Sequence, residues 1–276
     1  MIQSSEVYKR IVDEELIDLF AYEYIRNPEV IKLELESSFT YAQAVESEIS
    51  ESAGIVRTLI PNMSEELSNF FVTWETQEAR HGQVQANILE YIRSEALPHV
   101  SKESFLIKSA GVIAKYSPGF HDIAETTVLI YAALGEKETQ IAYRKLNERL
   151  NALGEKELSL RLMIPMAKQE SLHLSYYRSA IYEKKDYLKP WQLSFISKYI
   201  EKFYQPVGVQ RKNAERMKGF GKMALELSEY PLELASQTQE LAEIFFGINV
   251  PKRPFIINRY QECVEKALSD SRQICS

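Results

Sequence analysis

Two short motifs carry the residue types best able to do chemistry: Glu78-Ala79-Arg80-His81 and Glu170-Ser171-Leu172-His173. Residues three apart on an α-helix share a face, so each motif aims a carboxylate and an imidazole at one point. Two further acidic positions, Glu46 upstream and Glu136 between the motifs, lie in segments that also read as helices. Four carboxylates and two imidazoles brought to one centre would hold two divalent cations, whose charge balances the four acids. Oxygen-rich donor sets with imidazole suit iron or manganese better than zinc-thiolate chemistry does. A reduced pair of irons can supply electrons to O₂.

A single E-x-x-H arises often on exposed helices. What sets this pair apart is where it lies. Four segments carry a row at alternating steps of three and four: Phe39, Ala42, Glu46, Ile49, Ala53, Val56, Ile60; Phe71, Trp74, Glu78, His81, Gln85, Ile88, Ile92; Leu129, Ala132, Glu136, Thr139, Tyr143, Leu146, Leu150; and Met163, Met166, Glu170, His173, Tyr177, Ala180. Such rows form the buried seam of a helix bundle. Each seam is interrupted by a glutamate, and a buried charge is expensive unless it is compensated. On the first segment the ligand is read as Glu46, with Glu48 on the neighbouring row as the alternative. On the third, Glu136 shares the seam and Glu138 lies beside it. Glu125 reads as an outer or surface acid, and His99 and His121 as structural or exposed.

The elements that must position these residues are helices throughout. The chain has 276 residues, 45% hydrophobic and 26% charged, with ten glycines, ten prolines and no recurring strand-like alternation. The expected fold class is all-α, with helices over 6–26, 36–60, 64–94, 101–116, 120–153, 155–184, 190–223, 231–246 and 254–272. One domain is expected over 1–276: a metal-binding bundle over about 36–184 and C-terminal helices over about 190–272. Pro165, one turn before Glu170, predicts a kink or a later helix start. The net charge of −6, with both signs interspersed, argues against a dedicated nucleic-acid binder. Cys263 and Cys275 suit a reducing compartment. The charged N-terminal stretch reads as neither signal peptide nor membrane span, so the cytoplasm is the expected location. Arg211, Lys212, Arg216, Lys218 and Lys222 are expected to share a basic helix face that docks an acidic carrier or electron donor.

The stretch from Trp74 to Gly82, W-E-T-Q-E-A-R-H-G, resembles the W-T-x-E-E-x-R-H-G segment of soluble acyl-acyl-carrier-protein desaturases. Tyr131 to Thr139 resembles their Y-x-x-x-x-E-x-x-T segment, Glu170 to His173 their second E-x-x-H, and Glu46 to Ile49 their first acidic motif. Phe203-Tyr204-Gln205-Pro206 is similar to a proline-bearing stretch of bacterial members. The likeness spans roughly 40 to 250. It implies a ferritin-like four-helix bundle with additional flanking helices, assembled as a homodimer. It implies two Fe ions (Mn as the alternative) held by Glu46, Glu78, His81, Glu136, Glu170 and His173, with Thr139 at the oxygen site. O₂ would be co-substrate, electrons would come from a ferredoxin-type donor, and a double bond would enter an acyl chain on acyl carrier protein. Met163, Met166, Phe70, Phe71 and Tyr143 are candidates to line an acyl channel, beside plain core packing. The chain departs from the family at Gln169 (usually Asp), Leu172 (usually Arg) and Ile49-Ser50 (usually Leu-Pro). A neutral Gln169 cannot charge up a neighbouring imidazole, so altered electron supply or chemistry is expected. The alternatives are hydroxylation or another oxygenation on the same centre, a ferritin-like iron oxidase or storage protein, and a metal-free helical interaction protein. The long C-terminal part argues against storage.

Overall fold

The computed structural model describes residues 2–95, 118–209, 214–227, 230–247, 251 and 254–273. The regular structure there is helical, with no strand among the described residues. In chain order the helices are α1, Ser4–Val12; α2, Pro28–Glu46; α3, Ile49–Leu59; α4, Glu65–Tyr91; α5, Pro118–Ala152; α6, Ile164–Lys185; α7, Pro190–Phe203; α8, Ala214–Glu226; α9, Tyr230–Phe246; and α10, Phe255–Gln273. The expected helix over 101–116, with His99, Arg211, Lys212 and Cys275, lies outside the described residues.

Local sequence explains where the central helices begin. Asn27 accepts from the Val30 amide at 3.3 Å and Pro28 opens α2, where its missing N–H would have had no helical partner. Ser64 caps α4 through the Leu67 amide at 3.2 Å. Helix α6 is entered through a π-helical turn, Ser159–Met163, and Pro165 is the second residue of α6. The wider turn takes up the disturbance that a proline without N–H brings to the hydrogen-bond ladder. The expected disturbance before Glu170 is therefore a change of helix type.

Helices α2, α4, α5 and α6 form the central group, α2 lying along α4 and α5 along α6. Their seams meet in a core where Phe39, Phe70, Phe71, Leu129, Leu150, Met163 and Met166 are fully buried. On one side α1 spans α4 and α6. On the other, α8 rests on α2, α7 and α9 rest on α5, and α10 joins α8 to α9. The molecule is an all-α helical bundle with flanking helices, the expected class.

Three expected helices are each interrupted. The 6–26 helix stops at Val12, and only a 3₁₀ turn, Ala21–Tyr24, follows. The backbone carbonyls of Ile11 in the last turn of α1 and of Glu15, Ile17 and Leu19 beyond it accept from Gln77, Gln169, Arg80 and Asn87, so side chains of α4 and α6 bind this stretch. The 36–60 helix turns at Ser47-Glu48, where the Ser47 hydroxyl bonds back to Ala44 O and the Glu48 amide to Val45 O. The 190–223 helix ends at Phe203. Pro206 follows, then Gly208 at φ +72°, where any β-carbon would collide with Val45 and the Tyr41 hydroxyl.

The expected basic face is corrected by Arg216. It is fully buried, donates to Ala44 O at 2.9 Å and pairs with the equally buried Glu48. Of the described positions only Lys218, half-buried, and Lys222, exposed, remain near solvent. Removing one member of a buried pair strands the other charge. Arg216→Met should therefore lower unfolding stability by about 3–5 kcal/mol, and adding Glu48→Leu should recover most of it. Denaturant melts of the two variants check this.

Candidate metal centre

Each central helix delivers acids to one place. Glu46 comes from the last turn of α2, Glu78 and His81 from the middle of α4, Glu136 from α5, and Glu170 and His173 from α6. All six are buried, and both imidazoles have no solvent exposure. They form two overlapping groups. Glu46, Glu78, His81 and Glu170 make one; Glu78, Glu136, Glu170 and His173 make the other, with ligand atoms in each group within 4.8 Å of one another. Glu78 and Glu170 belong to both. His81 Nδ1 lies 3.2 Å from Glu78 Oε2 and 3.1 Å from Glu170 Oε1; His173 Nδ1 lies 2.9 Å from Glu78 Oε1 and 3.6 Å from Glu136 Oε2. The alternatives left open on α2 and α5 go elsewhere. Glu48 meets Arg216. Glu138 binds the Tyr204 hydroxyl and, at 2.7 Å, the Val207 amide, and burial pushes its carboxyl up to about 7. Glu125 is a buried acid away from this group, 2.8 Å from Lys184 and 3.7 Å from His121.

The close approach depends on Gly82. A β-carbon there would sit 3.1 Å from Glu46 Cβ and 3.3 Å from the Glu46 carbonyl carbon, so a side chain would push the end of α2 back by a few tenths of an ångström.

Several residues of the site escaped the sequence reading. Trp74, taken as an ordinary seam position, donates its indole N–H to Glu136 Oε1 at 2.8 Å. Tyr143 donates to Glu46 Oε1 at 2.5 Å and accepts from Gln85 Nε2 at 2.8 Å. Gln77 Oε1 meets His173 Nε2 at 2.7 Å, and Gln169, which the sequence did set beside an imidazole, meets His81 Nε2 through Oε1 at 2.7 Å. The available signal was that both motifs begin Gln-Glu. Thr139 bonds its own helix at Gly135 O, 3.1 Å away, and borders a cavity of about 40 Å³ with Glu46, Tyr41, Val45, Phe220, Met223 and Tyr260. Of the residues expected to line an acyl channel, Tyr143 borders this cavity; Met163, Met166, Phe70 and Phe71 are packed into the core away from its lining.

The electrostatics are those of a cluster short of positive charge. Burial, then the neighbouring Glu78, pushes Glu46 well above the usual carboxylate range; burial, then Glu78 and Glu136, does the same to Glu170. Burial alone would also raise Glu78, but His81 and His173 outweigh it and hold that carboxyl well below its ordinary value. Burial disfavours charge on His173, yet the adjacent carboxylates of Glu136 and Glu78 outweigh it and lift it to about 9. Glu78 Oε1, Glu170 Oε1 and both Nδ1 atoms are buried without an aligned hydrogen-bond partner. Four orphaned donor atoms pointing at one another, in an all-oxygen-and-nitrogen set, fit cations of the iron or manganese type.

A family model for fatty acid desaturases matches residues 47–189, about half of the chain. The chain belongs to the fatty acid desaturase family. The matched stretch takes in α4, α5 and α6 with five of the six clustered residues, and begins one residue after Glu46. Comparison with curated proteins and with solved structures found no match. Family membership makes this an oxidoreductase of fatty acid metabolism, and no described helix is long and apolar enough to cross a membrane.

A pH dependence follows for this family member. His173, with its value raised from 6.5 to about 9, keeps a proton in the folded chain that the unfolded chain gives up. The resulting stabilisation is complete below about 6.5 and disappears as pH rises through about 9. The raised values of Glu46 and Glu170 act in the same direction. In chelator, the melting temperature should fall between pH 6.5 and 9. Bound metal, which replaces those protons, should flatten the fall. Thermal melts across that range with and without ferrous ion check both statements.

Proposed function

We propose that this desaturase-family chain is an O₂-dependent di-iron enzyme that inserts a double bond into an acyl chain carried on acyl carrier protein. The observation that carries this reading is the pair of overlapping four-residue groups with Glu78 and Glu170 in common. Two ions would be held by these groups, Glu46 and His81 belonging to one, Glu136 and His173 to the other, and Glu78 and Glu170 to both. Two ferrous ions, when bound, supply the electrons and the oxygen-activating chemistry that breaking unactivated C–H bonds demands. The chain's own residues do the rest. Trp74 and Tyr143 hold Glu136 and Glu46 in place. Burial keeps all six clustered side chains away from bulk solvent. Thr139, beside the cavity, is assigned the oxygen-site position.

The cavity is where the acyl carbon would approach. It meets Glu46 on one wall and is otherwise bounded chiefly by aromatic and aliphatic side chains. Its volume of about 40 Å³ holds on the order of three waters, so a long chain must displace side chains such as Phe220 and Met223. Assembly as a homodimer and reduction by a ferredoxin-type donor belong to the same proposal, as do one domain over 1–276 and a ferritin-like core.

Purified protein should hold two iron ions per chain, and Glu78→Ala or His173→Ala should lose most of that iron while the helical circular-dichroism signal stays. Full iron retention in both variants would sink the assignment. Mass spectrometry of acyl groups from a panel of acyl-carrier substrates should show loss of two hydrogens; a gain of one oxygen would place the enzyme among hydroxylases. Met223→Ala, which enlarges the cavity, should move the preferred substrate to a longer chain.

A further inference from the structure

Gln77 and Gln169 are buried, and both ends of each amide are in use. The Gln77 NH₂ group donates to Ile11 O at 3.1 Å, and that of Gln169 donates to Glu15 O at 2.8 Å. A backbone carbonyl can only accept, so each amide must turn its nitrogen toward the segment 11–15 and its oxygen toward the histidine. Gln77 Oε1 then faces His173 Nε2, and Gln169 Oε1 faces His81 Nε2, each at 2.7 Å. An amide oxygen also only accepts. Nε2 of both rings must therefore carry the hydrogen, which leaves Nδ1 as the atom presented to Glu78, Glu136 and Glu170.

We infer that Gln77 and Gln169 are crossed positioning residues: anchored on the backbone of residues 11–15, each fixes the ring orientation and Nε2–H tautomer of the other motif's histidine, so that Nδ1 binds metal. The inference rests on the di-metal reading of the centre. It also gives the departure at Gln169 a physical cause. An acid there, as expected from the resemblance, would have no N–H to offer Glu15 O; a glutamate would press a carboxylate oxygen against that carbonyl. The two glutamines and the irregular segment after α1 are thus a matched set. Being neutral, the amides give the metal-holding rings none of the added basicity that a carboxylate partner confers.

The test uses full-length ¹⁵N-labelled protein, first metal-free and then loaded with zinc as a diamagnetic probe. Two slowly exchanging imidazole Nε2–H signals are expected in both states. The His173 signal is identified by its proximity to Phe70 and the His81 signal by its proximity to Tyr143, whose rings lie 6.4 Å and 6.2 Å away. Gln77→Met should abolish protection of the His173 signal and spare His81; Gln169→Met should do the reverse. Each should weaken zinc binding roughly 10–100-fold with an unchanged helical spectrum. If a variant fails to fold, the wild type still decides, since zinc on Nε2, or Nε2–H in free exchange with water, overturns the inference. Loss of the signals on the same motif's histidine, or zinc affinity within twofold of wild type in both variants, overturns it too. A wild type that takes up no zinc or iron removes the di-metal reading, while the metal-free signals and their crossed loss still test the glutamines.

Discussion

Four carboxylates and two imidazoles share one dry compartment in this molecule, and most of the architecture is a response to that. Glu46, Glu78, Glu136 and Glu170 cannot all be ionised side by side in a protein interior without cations between them. In the metal-free chain, protons stand in: Glu46 and Glu170 hold on to theirs, and His173 is charged well into the alkaline range. Helix α4 abuts the end of α2 through Gly82 because the acids have to converge. Trp74 and Tyr143, which any bundle core could bury as bulk, are placed so that their polar ends hold two of those acids.

The flanking helices divide into two environments around this compartment. On the α2 and α5 side, α8, α10 and the turn after α7 enclose the small cavity. That turn is pinned by Glu138 through Tyr204 and Val207, and by Tyr41 through Val207 O. On the α4 and α6 side, α1 packs against both helices, and residues 11–19 take hydrogen bonds from their side chains. Carboxylates and phenols face the cavity; imidazoles, amides and backbone carbonyls face the other way.

The bundle and its buried cluster of acids and imidazoles were legible in the sequence because both follow from one period. Glu78, His81, Glu170 and His173 fall on seams whose other members are nearly all buried, and a charged residue on such a seam is conspicuous. Glu46 could be preferred over Glu48 on the same ground, and the structure sends Glu48 to Arg216. What periodicity could not show was where a seam changes helix. The apolar row runs unbroken through Ser47-Glu48, with no glycine or proline to mark the turn. The chain after Val12 keeps a helical composition while its carbonyls are claimed by side chains more than sixty residues away, a tertiary effect that local propensity cannot register. Pro206 and Gly208 did carry a stop signal; the helix drawn through them gave apolar spacing more weight than backbone chemistry. Arg216 looked like a solvated charge because its partner lies 168 positions away.

The crossing of the two glutamine bonds has a mechanical consequence. Were each glutamine to serve the histidine of its own helix, α4 and α6 could slide past one another and leave both rings supported. With the bonds crossed, a slide of one residue, about 1.5 Å, stretches both at once and swings both rings off the centre together. Helix register and ligand geometry are thereby one variable. A slide cannot remove only half of the imidazole support, and the pair behaves as a latch with two bolts thrown by a single handle.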